Sequence, residues 1–216
     1  MPFTLLFPVQ KLYYKQMKLS NKFTLARAIF APIFFLIFNI PAWLNSDILS
    51  KISAFIMIPL LAVFELTDYW DGHYARKNSE VSDFGKIFDP FADVILNLTV
   101  FMCAVASGYM PIVLFALILY REFSQSFLRM AALKNGIAIA AKKGGKFKTV
   151  FYIFSGFFFL AIETYSRLGL SFFSDGFIHG CKIAAIVMFV LCTLFSWTSF
   201  LDYIKSCYPA ITGKKK

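Results

Sequence analysis

Four aspartates, Asp68, Asp71, Asp89 and Asp93, lie in stretches otherwise apolar enough to cross a membrane. An ionisable side chain there is expensive and marks a functional site by default. Asp68 and Asp71 are three residues apart, Asp89 and Asp93 four apart, so each pair projects from one face of its helix. The joining segment, Lys77–Phe84, is short and polar. It predicts two antiparallel neighbouring helices whose four carboxylates converge near one end. Four such carboxylates repel one another and cannot all stay ionised without compensation. Two Mg²⁺ or Mn²⁺ ions match hard oxygen ligands and supply it most cheaply. A metal pair about 3.5–4 Å apart suits displacement at phosphorus, because both attacking and leaving oxygens are stabilised. The four cysteines (Cys103, Cys181, Cys192, Cys207) and the two histidines (His73, His179) show no softer-metal spacing. The cysteines read as small hydrophobes and His73 as a satisfied residue near the loop.

Small residues interleave with the acids. Gly72 and Ala75 follow Asp68 by four and seven positions, and Gly85 precedes Asp89 by four. They let helix backbones, or a ligand, approach closely. Arg76 ends the same helix, placed to meet a pyrophosphate or to snorkel to the interface.

The elements that must carry these residues are membrane helices. Of 216 residues, 59% are hydrophobic and only 16% charged, against about 45–50% and about 25% in soluble domains. Six stretches are long enough to span a bilayer, about Asn21–Leu44, Lys51–Arg76, Gly85–Ser107, Pro111–Leu133, Lys146–Arg167 and Gly176–Lys205. The expected fold is thus an all-α integral membrane protein of six transmembrane helices. An interfacial amphipathic helix over residues 1–20, with Leu5, Leu6, Leu12 and Tyr13 opposite Lys11, Lys15 and Lys18, precedes them. It does not read as a cleavable signal. The membrane domain covers residues 21–205, and residues 206–216 form a basic tail. The net charge of +10 is distributed by topology. With the N-terminus in the cytoplasm, only Lys51, Arg167 and Lys182 fall outside, while Arg27, Arg121 and Arg129 lie within spans and the other lysines and arginines face the cytoplasm. The expected location is the inner (cytoplasmic) membrane, multi-pass, with the site facing the cytoplasm. Anionic headgroups and phosphate-bearing substrates are the expected partners; nucleic acid is not, since no soluble domain is present to read it.

The run Asp68-Tyr-Trp-Asp71-Gly72-His-Tyr-Ala75-Arg76, then eight residues, Gly85, three residues, Asp89, three residues and Asp93 resembles the signature of the CDP-alcohol phosphatidyltransferase family at all eight fixed positions. The resemblance extends from about Leu19 to Thr149. It implies a six-helix membrane enzyme, typically a homodimer, with a polar cavity open to the cytoplasm. Such an enzyme moves a phosphatidyl or related phospho-alcohol group from a CDP-linked donor to an acceptor hydroxyl and releases CMP. Carried over residue by residue, it makes Asp68, Asp71 and Asp89 metal ligands, and Asp93 both a neighbour of the metals and the general base. Gly72, Ala75, Arg76 and Gly85 would line the cytidine diphosphate pocket, with Asn21 and Thr24 also on the donor side.

Three stretches resemble the bacterial members whose acceptor is glycerol 3-phosphate. They are Arg121-Glu122-Phe-Ser-Gln-Ser-Phe-Leu-Arg129, Gly144-Gly145-Lys146-Phe-Lys148-Thr149, and Leu19-Ser-Asn21-Lys-Phe-Thr24-Leu-Ala-Arg27, where Ser20 replaces the usual Pro. Electrostatics points the same way. Arg121 is an intramembrane cation in need of an anion, and Glu122, about 100° around the helix, reads as a poor partner by itself. Lys146 and Lys148 beside two glycines at a helix start suggest a phosphate-binding corner. The expected substrates are therefore CDP-diacylglycerol and glycerol 3-phosphate, with inositol phosphate, inositol, serine or choline as alternative acceptors. A cation or proton transporter is disfavoured: all four acids lie in one hairpin with no counterpart in Lys146–Lys205.

Overall fold

The computed structural model describes residues 19–77, 83–134 and 143–212, and side chains within 22–67, 88–132 and 147–205. Among them there are six α-helices and no strand: α1 (Leu19–Trp43), α2 (Asp47–Lys77), α3 (Asp83–Ala106), α4 (Ile112–Lys134), α5 (Lys143–Arg167) and α6 (Asp175–Thr212). The expected amphipathic helix before them lies outside the described residues. α6 runs on past the expected end at Lys205.

Five helices are long and apolar enough to cross a membrane. The sixth, α4, carries Arg121, Glu122 and Arg129 along its length. Its first two charges are fully buried, whereas Phe123 and Phe127 beside them are exposed. Across the fold Phe55, Phe154, Ile48 and Val113 face outward while Thr24, Arg27 and Ser196 are buried. Polar inside and apolar outside is the arrangement a bilayer requires, and the chain is an all-α integral membrane protein.

Local chemistry fixes where the helices stop. Asn45, Gly108 and Gly169 adopt φ of 47°, 76° and 63° just beyond α1, α3 and α5. In each case the next residue's N–H reaches back five positions: Ser46 to Pro41 O, Tyr109 to Ala104 O, Leu170 to Tyr165 O. These are Schellman caps, which need a left-handed residue that glycine or asparagine supplies at low cost. Ser46 and Ser174 cap the starts of α2 and α6, their hydroxyls accepting from Leu49 N and Phe177 N.

α1 occupies the middle of one half of the bundle, packing on both α2 and α3. The expectation that the two acid-bearing helices are direct neighbours is corrected here: among the described residues the backbones of α2 and α3 do not pack on each other, and α1 stands between them. Phe30 of α1 stacks on Phe64 of α2 with ring centroids 3.7 Å apart. In the other half α6 packs on α4 and α5, and α5 packs also on α2 and α3. Phe101 of α3 meets Tyr152 of α5 and Phe189 of α6 edge-on. Gly156 permits the α3–α5 approach, since a Cβ there would lie 3.1 Å from Val100.

At the end of the bundle where α1, α3 and α5 stop, Arg167 pairs with Glu163 at 2.7 Å and donates to Phe38 O and Ser53 Oγ. Expected in an outer segment, it ties α1, α2 and α5 together. Tyr109, in the turn between α3 and α4, has its phenol pushed up by burial and then by the nearby Glu163 charge.

Candidate active site

The two described acids of the signature occupy consecutive turns of α3 and are met by α1. Thr24 Oγ1 donates to Asp89 Oδ1 at 2.6 Å, and Arg27 forms an ion pair with Asp93. The spacing explains the match: i and i+3 on α1 face i and i+4 on α3, so hydroxyl meets one carboxylate and guanidinium the next. Arg27 is fully buried, while the Asp93 side chain remains one-third exposed, toward a cavity that it lines. Thr24, expected on the donor side, thus also orients an expected metal ligand. Arg27, to which the sequence assigned no role, is the buried partner of Asp93. Asp68, Asp71, Gly72, Ala75 and Arg76 belong to the last turns of α2 and Gly85 to the first of α3. Their side chains lie outside the described residues, as does that of Asn21.

A second cluster forms where α4, α5 and α6 meet. Glu122 is its hub: Lys148 Nζ donates to Glu122 Oε1 at 2.6 Å, and Tyr152 Oη lies 3.1 Å from the same oxygen and 2.7 Å from Ser196 Oγ. Arg121 Nη1 is 2.8 Å from Glu122 Oε1, so the expectation that Glu122 is a poor partner is corrected. The two side chains are long enough to curl across the angle between neighbouring helical positions. Arg121 Nε donates to Ser196 O at 2.9 Å. Neither Nη1 nor Nη2 of this fully buried guanidinium makes a hydrogen bond. Two cations against one carboxylate leave one positive charge to be met, with unused donors attached to it. Lys148 stands in the second turn of α5, past the N–H groups that a helix start offers an anion, and contributes by its ammonium alone. Lys146 lies in the first turn, its side chain outside the described residues.

Both clusters open into one cavity of about 290 Å³, lined by Asp93, Asn97, Arg121, Glu122, Arg129 and Lys148 among others. α6 supplies Ser199, Asp202 and Tyr203 to its wall. No motif announced these α6 residues in the sequence; the one signal was polar side chains persisting at the end of an unusually long span. The cavity therefore brings carboxylates and cations to one enclosed space, as needed to hold an anionic molecule beside a group that can take its proton.

Asp89 and Asp93 offer hard oxygen donors one turn apart, fitting a divalent cation such as Mg²⁺ or Mn²⁺. Among the described residues no group of three or more acids, histidines or cysteines is gathered, so the other ligands would come from Asp68 and Asp71.

Residues 17–197 match the family model for CDP-alcohol phosphatidyltransferase. The chain is 33% identical over 199 residues to the CDP-diacylglycerol–glycerol-3-phosphate 3-phosphatidyltransferase of Treponema pallidum, covering 90% of this chain and 91% of that protein. It is 30% identical to the enzyme of the same name from Mycoplasma pneumoniae over 80% of this chain and 75% of that one. With the counterpart from Bacillus subtilis it shares 34% identity over 61% of this chain and 70% of that one. A cavity lined by both carboxylates and cations inside six helices and a match of this extent lead to one conclusion: the chain belongs to the CDP-alcohol phosphatidyltransferase family.

Proposed function

We propose that the protein is a phosphatidylglycerophosphate synthase, transferring the phosphatidyl group of CDP-diacylglycerol to sn-glycerol 3-phosphate and releasing CMP. The observation that carries this reading is Arg121, a buried cation that shares one carboxylate, Glu122, with Lys148, contributes to the cavity lining, and has Nη groups that make no hydrogen bond. A phosphomonoester satisfies it, whereas choline, serine or free inositol has no such group to offer. The names of the relatives add independent support.

In this reading Arg121 and Lys148, with Lys146 nearby in sequence, hold the acceptor phosphate, and Glu122 keeps the two cations from repelling each other. The acceptor hydroxyl points toward Asp93. Its oxygen attacks the phosphorus that bears diacylglycerol, its proton passes to the Asp93 carboxylate, and the bond to the CMP oxygen breaks with the electron pair leaving on CMP. Asp68, Asp71 and Asp89, with Asp93 beside them, would hold two Mg²⁺ or Mn²⁺ ions; when bound, these neutralise the pyrophosphate and the departing CMP. Gly72, Ala75, Arg76, Gly85, Asn21 and Thr24 form the donor side. Positioning and charge neutralisation carry the catalysis. We place the enzyme in the cytoplasmic membrane with this cavity facing the cytoplasm, as a homodimer, with residues 21–205 as the catalytic domain between an interfacial helix (1–20) and a basic tail.

The test offers purified protein CDP-diacylglycerol with one acceptor at a time. CMP release is expected with glycerol 3-phosphate, to be abolished by chelator and restored by Mg²⁺ or Mn²⁺. Equal release with inositol phosphate, serine or choline, or insensitivity to chelator, would reject the reading.

A further inference from the structure

Among the neutral polar groups that line the cavity, Asn97 is the one on the helix that carries the base. It follows Asp93 by four residues on α3, about one turn along the same face and roughly 6 Å farther on. Asn97 is 8% exposed in the middle of an apolar helix, where a polar side chain is costly unless it is used. Its Nδ2 donates to Asp93 O at 2.9 Å. A carbonyl only accepts, so the nitrogen must face the helix, and Oδ1, the acceptor, is turned away from it. Asn97 lines the same cavity as Asp93, Arg121 and Lys148, and Oδ1 is not among the sealed, unsatisfied atoms of the fold.

Resting on the acceptor reading above, we infer that Asn97 Oδ1 accepts a hydrogen bond from the second, non-reacting hydroxyl of the acceptor, so that the site selects a monophosphate carrying two adjacent hydroxyls. Asp93 faces the hydroxyl that reacts, Asn97 the one beside it, and Arg121 with Lys148 the phosphate at the far end. All of these residues line one cavity, as holding the three groups of a diol phosphate at once requires. Asn97 is thus a specificity-determining residue, distinct from the base and from the phosphate clamp.

The experiment compares glycerol 3-phosphate with 3-hydroxypropyl phosphate, which keeps the reacting hydroxyl and the phosphate and lacks only the middle hydroxyl. The wild type is expected to favour glycerol 3-phosphate by about tenfold or more in kcat/KM, the worth of one hydrogen bond that otherwise leaves a buried acceptor bare. In Asn97→Leu, similar in volume and at home in an apolar helix, the ratio is expected to fall to near one, mainly by loss with glycerol 3-phosphate. Asn97→Ala should show the same collapse. A merely structural residue would slow both acceptors alike and leave the ratio intact, and that result overturns the inference. So does a wild-type ratio near one, which needs no variant to fold. Turnover with neither acceptor is a separate outcome: it removes the acceptor reading itself, and this inference with it.

Discussion

Asp93→Asn is expected to lower kcat by about 10²–10⁴-fold, the usual contribution of a positioned general base. Asparagine keeps the shape of the side chain and removes the site that receives the acceptor's proton. Two consequences separate this loss from simple damage. Donor binding should persist, because the residues proposed for the donor side belong to α2, the start of α3 and the start of α1. Thermal stability should fall as well, since the buried Arg27 loses the carboxylate that balances it. Titrating CDP-diacylglycerol against the detergent-purified variant, alongside single-turnover CMP release, measures both parts. A rate near that of the wild type at saturating acceptor would exclude Asp93 as the base.

Arg121→Ala is expected to reduce kcat/KM for glycerol 3-phosphate by about 10- to 100-fold, the worth of charge-assisted bonds to a phosphate. The affinity for CDP-diacylglycerol should stay where it was. The loss falls on the acceptor because Arg121 stands where α4, α5 and α6 meet, and not on the helices that carry the signature acids. Arg121→Lys should recover little, since one ammonium cannot reproduce a planar fork whose Nε donates to Ser196 O while its Nη1 lies against Glu122. Steady-state kinetics with each substrate varied in turn checks this. An unchanged response to acceptor would count against the phosphate clamp.

Much of the site was legible in the sequence because its groups are expensive where they stand. Asp89 and Asp93 announced themselves as charges inside a span at helical spacing, and Arg121 as an intramembrane cation. Their partners were not legible. Thr24 and Arg27 reach Asp89 and Asp93 across 65 and 66 residues of chain, and a threonine or arginine near the start of a span has many ordinary explanations. The position of α1 between α2 and α3 followed from nothing in the short Lys77–Phe84 connection, which fixes only that the helices turn back. Glu122 was misjudged because helical angle was weighed without side-chain length. Its grip on Lys148 and Tyr152 depends on how α4 packs near α5. The contribution of α6 was hidden within a long apolar span, and only the packed bundle brings Ser196 to Tyr152 and Ser199, Asp202 and Tyr203 to the cavity. Six helices were expected from hydrophobic length, and the charges on α4, which weaken its apolar signal, are the ones that the packed bundle hides.

The most direct measurement of the central claim is transfer stoichiometry: purified protein, CDP-diacylglycerol and labelled sn-glycerol 3-phosphate, with the organic phase counted against CMP formed. One label entering the lipid for each CMP is the predicted result. CMP appearing with no label in the lipid would mean that water or another hydroxyl takes the phosphatidyl group, and the acceptor site built on Arg121 and Lys148 would be wrong.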